Sequence, residues 1–106
     1  MRAMVAALAA LLMLLGCTQT AQPPEAPSAM NACLSECQRQ MLSSRDLSQG
    51  PCLLDPIPGF PDWVCDIAHH PREAEDDLPQ NQCASFGNST HHFVEATPNC
   101  ILIRQY

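Results

Sequence analysis

Apolar residues recur along this chain with three different spacings, and each spacing predicts a different element. From Val5 to Leu15 they form an unbroken run of eleven, too short for a transmembrane helix, which needs about 17 to 25 residues. From residue 28 to about residue 44 they fall at helical intervals. Met30, Cys33, Leu34, Cys37 and Met41 make one stripe, and Glu36, Gln38, Arg39 and Gln40 cover the other side. Ser28 or Asn31 suits the N-cap, and Gly50-Pro51 bars the helix from continuing. From Trp63 to Ala68 the period is two: Trp63, Cys65 and Ile67 point one way, and Val64, Asp66 and Ala68 the other.

Two more strand-like runs follow, His91 to Ala96 and Cys100 to Gln105. They flank Thr97-Pro98-Asn99 and read as a β-hairpin. Between Cys52 and Asp62, the residues Pro56, Pro58, Gly59 and Pro61 predict repeated turns with little regular structure. Glu73, Glu75, Asp76 and Asp77, bracketed by Pro71 and Pro79, predict a solvated acidic loop or a single helical turn. The expected fold is α+β: a small disulfide-rich domain with one N-terminal helix packed on a two- to three-stranded antiparallel sheet, and Trp63 packed against a disulfide.

The apolar run follows Arg2 and ends at Gly16-Cys17. Charge, apolar run, small residue and cysteine stand in the order of a lipobox, so residues 1–17 resemble the signal sequence of prokaryotic lipoproteins. The resemblance implies export, cleavage before Cys17, acyl chains such as palmitate on the mature Cys17, and anchoring to the cell membrane. Thr18 is not the Asp that retains many such proteins at an inner membrane, so in a two-membrane host the resemblance allows an outer-membrane address. The expected organisation is a signal peptide over 1–16, a lipidated cysteine and proline-rich tether over 17–29, and a disulfide-stabilised domain over 30–106. Residues 18–29, with three prolines and no large apolar side chain, would extend up to about 35 Å.

Setting Cys17 aside leaves Cys33, Cys37, Cys52, Cys65, Cys83 and Cys100. An even number of cysteines in a short exported chain reads as a disulfide framework. A domain this small, with one Trp, one Tyr and three Phe, has a modest core that such staples would supplement. Cys33 and Cys37 lie one turn apart on one helix, where their Cβ vectors run parallel. A bond between them is therefore badly placed, and the two should staple the helix to different segments. The remaining pairings stay open.

Beyond Cys17 the chain holds four arginines, no lysine and eleven carboxylates, a formal −7. Such a surface repels phosphate backbones and disfavours nucleic acid as a partner. It leaves the lipid as the membrane contact and an envelope component or protein as the expected partner. The histidines come as adjacent pairs, His69-His70 and His91-His92, so each pair can give one ligand to any one site. If the two central strands are adjacent and in register, Asp66, His70, His91 and Glu95 share one face, a donor set suited to zinc or copper. No other cofactor is indicated. His91-His92-Phe93-Val94-Glu95 resembles the histidine-bearing strand of transglutaminase-like cysteine hydrolases. That resemblance implies a reduced nucleophile such as Cys52 or Cys65, yet this chain is much shorter than those domains and a free thiol would leave an odd cysteine. With no complete catalytic set, the expected role is non-enzymatic: a lipid-anchored envelope protein presenting a rigid domain, with metal binding as the alternative.

Overall fold

The computed structural model describes residues 28–106. Cys17, the lipobox and all but the end of the tether lie outside the described residues. Helix α1 spans Ala29–Leu42, and Ser28 caps it: its Oγ accepts from the Asn31 N–H at 3.0 Å. Of the apolar stripe, Cys33 and Cys37 are fully buried, whereas Met41 in the last turn is exposed. Gln40 is buried in that region instead, bonded to Glu36 and Arg45.

The helix packs on one face of a four-stranded sheet made of β1 (Cys52–Leu54), β2 (Trp63–Ile67), β3 (His92–Ala96) and β4 (Leu102–Gln105), in that order. The expected α+β architecture is present, with one strand more than the sequence pattern indicated. That strand is β1, in a segment read as turns because its three residues are too few to show a period. The sheet is also mixed. The outer pairs β1–β2 and β3–β4 are antiparallel, but β2 and β3 run parallel, Asp66 opposite Glu95 and Trp63 opposite His92. Parallel neighbours need a crossover of a dozen residues or more, and residues 68–91 supply it. They carry only two 3₁₀ turns, Ala74–Asp77 and Pro79–Asn81, which leave no helical period in the sequence to signal the crossover.

All six cysteines of the domain are paired: Cys33–Cys65, Cys37–Cys100 and Cys52–Cys83. The first two tie α1 to β2 and to the turn before β4, so the helix is stapled to two segments. The third ties the crossover to the edge strand β1. Cys52 and Cys65 are both oxidised, which removes the nucleophile that the cysteine-hydrolase likeness required. Under the helix, Cys33, Ile57, Cys65 and Val94 form one buried cluster and Cys37, Leu47, Ile67, Ala96 and Cys100 a second. Trp63 is half-buried against the first and stacks on His92 with ring centroids 4.8 Å apart. Strand alternation sends Val64 and Asp66 of β2, Phe93 and Glu95 of β3, and Arg104 of β4 to the other face, where the crossover lies.

Candidate functional site: a carboxyl-lined cleft

Between that second face and the crossover lies a cleft of about 600 Å³, within the range typical of small-molecule sites. Val64, Asp66, Phe93 and Glu95 contribute from β2 and β3. Pro79, Cys83, Ala84 and Phe86 come from the crossover, and Arg72, Asp77 and Arg104 bring charge. Each side chain is positioned by a definite local cause. The in-register pairing of β2 with β3 sets Asp66 beside Glu95. The pairing of β3 with β4 puts Arg104 opposite Glu95. The Cys52–Cys83 bond holds the crossover over the sheet, and Phe86 meets Phe93 edge-on at 5.3 Å between centroids.

The two carboxyl groups are in unlike surroundings. Glu95 lies between two guanidinium groups, its Oε2 3.4 Å from Arg72 Nη1 and its Oε1 3.4 Å from Arg104 Nε. Arg72 also holds Asp77 at 2.8 Å, and Arg104 lies over the Phe93 ring at 5.4 Å. Asp66 has no such counter-ion, and its Oδ1 is buried without a hydrogen-bond partner. Burial, reinforced by the negative charge of Glu95 and more weakly of Asp76, pushes its pKa up to about 8 despite the opposing pull of Arg72 and of the Ile67 backbone. Asp66 therefore carries a proton at neutral pH.

Of the acidic run 73–77, expected to be solvated, Asp76 is buried. Its Oδ2 accepts from the backbone N–H of His69 at 2.9 Å and of Glu73 at 2.8 Å, and its Oδ1 lies 3.0 Å from His69 Nδ1. Burial alone would raise its pKa, but these hydrogen bonds and the charge of His69 outweigh it and leave the carboxyl below the usual range. Asp76 is thus the clamp that shapes the crossover. Arg72, to which the sequence pattern assigns no role, is drawn in by the same turn, its Nη2 donating to the Asp76 carbonyl at 3.3 Å.

Of the four residues considered as metal ligands, Asp66 and Glu95 come together, but His70 and His91 do not join them. Because β2 and β3 are parallel, His70 lies beyond the C-terminal end of β2 and His91 before the N-terminal end of β3, each four residues along the chain from its carboxyl residue. His91 Nδ1 is bonded instead to Asp62 Oδ1 at 2.8 Å, and the other oxygen of Asp62 is 3.4 Å from His92 Nε2. Among the described residues, the one group of three candidate donors within 4.8 Å of each other is Cys52, Asp55 and Cys83. Two of its three donors are the sulfurs of a disulfide. No helix among the described residues is long and apolar enough to cross a membrane. No family model, curated protein or solved structure matches this chain.

Proposed function

We propose that this protein is an exported lipoprotein, anchored to the cell membrane through acyl chains on Cys17, which presents a rigid three-disulfide domain to an envelope component or protein partner in a non-enzymatic binding role. The observation that carries the proposal is the pairing of the cysteines. Six of the seven form three bonds within one small domain. This leaves Cys17, at the end of its apolar run, as the one thiol with no partner in that framework. A framework of three disulfides also fits an oxidising compartment outside the cytoplasm. Anchoring by lipid fits the acidic composition of the chain beyond Cys17, with four arginines and no lysine against eleven carboxylates, and stable attachment takes two or more chains.

Cell fractionation tests the anchor. The parent chain should remain with membranes after washes in high salt and at high pH and leave them only in detergent. Cys17→Ser should abolish acylation and processing. A parent chain released by salt, or a Cys17→Ser variant that is processed to the same mass, would overturn the lipid assignment.

A further inference from the structure

The cleft is chemically unbalanced. Facing Asp66 are Glu95 from β3, Arg104 from β4, and Arg72, Asp76 and Asp77 from the crossover, with His69 bound to Asp76 behind it. β1 contributes Cys52, which is oxidised and carries no charge, and α1 lies on the opposite face. Both guanidinium groups are already committed, Arg72 to Asp77 and Glu95, and Arg104 to Glu95 and the Phe93 ring. An anionic ligand would have to displace one of these pairs. A divalent metal fares no better, because such ions require several oxygen ligands and both oxygens of Glu95 are occupied by arginine. With Asp66 ionised, the cleft lining holds three carboxylates, Asp66, Asp77 and Glu95, against two guanidinium groups, and Asp66 is the one of the three without an ion pair. The cleft also has an apolar lining, contributed by Val64, Phe86, Phe93, Pro79 and Ala84.

We propose that the cleft binds a small organic ammonium ion, which pairs with the Asp66 carboxyl group and whose apolar body lies against Phe86 and Phe93. This gives a ligand class to the binding role proposed above, but it does not depend on lipid at Cys17. An ammonium can take the place that the carboxyl proton otherwise occupies. Asp66 is protonated up to about pH 8 in the empty cleft, so binding exchanges one proton for one cation: the Asp66 O–H gives its proton to solvent and the carboxylate accepts from the ammonium. Affinity therefore rises with pH, by about tenfold per unit well below that value, and levels off above it.

The test is isothermal titration of the full chain, in non-ionic detergent, with 2-phenylethylamine and with its neutral counterpart 2-phenylethanol. Titrations run at pH 6, 7 and 8, where an alkylammonium with a lysine-like pKa of about 10.4 remains charged. At pH 7 each is repeated in two buffers of different ionisation enthalpy. The amine should bind at least about tenfold more tightly than the alcohol at pH 8, tighten from pH 6 to pH 8, and release close to one proton at pH 7. The near-isosteric Asp66→Asn should retain the disulfides and lose both the pH dependence and the proton release. Equal or tighter binding of the alcohol would overturn the proposal in favour of a cleft for neutral hydrogen-bonding ligands. Amine binding without proton release, or no binding of either probe, would overturn it as well. None of these outcomes affects membrane fractionation, so failure here and failure of the anchor are separate results.

Discussion

Asp66 lies beneath the crossover and Asp76 within it, and their partners send the two carboxyl groups in opposite directions. Asp66 holds its proton to about pH 8 in the folded chain, against 3.8 for an ordinary Asp. A raised folded pKa means that its contribution to folding is complete below about pH 4 and is lost as pH rises through about 8. Asp66→Asn, with no proton to lose, should flatten that decline and exceed the parent in stability at pH 8 by more than about 1 kcal/mol, read from urea midpoints at pH 5 and pH 8. Asp76 is depressed, so its contribution is present at neutral pH and is lost as pH falls below about 4. Asp76→Ala removes three hydrogen bonds and should cost about 3 kcal/mol at pH 7. Asp77→Ala removes one exposed ion pair with Arg72 and should cost less than about 1 kcal/mol. Gly50 depends on the same carboxyl: at φ +69° a Cβ there would lie 2.5 Å from Asp76 Oδ1 and 3.0 Å from the Ile67 carbonyl. Gly50→Ala should therefore destabilise by about 2 kcal/mol or more, by the same urea measurement. The sequence hid all of this, because four acidic residues within five positions have the composition of a solvated loop, and burial of one of them follows only from the fold of its neighbours.

At the scale of elements, helix α1 and strands β2 and β3 were legible because each repeats its pattern over a full turn or several alternations. Cys33 and Cys37 lie in the buried stripe, and the alternation of Trp63, Cys65 and Ile67 marks the face that meets them. Strand direction was not legible. Alternation fixes which side chains share a face but not which way the strand runs, and a crossover built from two short 3₁₀ turns leaves no periodic signature. Direction decides the candidate site: parallel pairing keeps Asp66 beside Glu95 while it sends His70 and His91 to opposite ends. The role of Arg104 was hidden for a related reason, since it depends on the β3–β4 register, which shifts between Glu95 and Ala96. The staples of α1 give a prediction at this scale. Cys37–Cys100 closes a separation of 63 residues and Cys33–Cys65 one of 32. Replacing either pair by alanines should cost about 4 kcal/mol, with the longer loop the costlier by about 0.6 kcal/mol, measured by denaturant unfolding of the two double variants.

At the scale of the whole molecule, the cysteines link fold to function. They hold together a domain whose two buried clusters are small and fix the crossover above the cleft, and in the function proposed above they leave Cys17 for the lipid. The measurement that bears most directly on this account is the intact mass of the protein extracted from membranes and alkylated without reduction. The account predicts the mass of residues 17–106 plus acyl chains, six hydrogens below the reduced form and free of alkyl adducts. An unacylated mass, or alkyl adducts on any of the six domain cysteines, would contradict it.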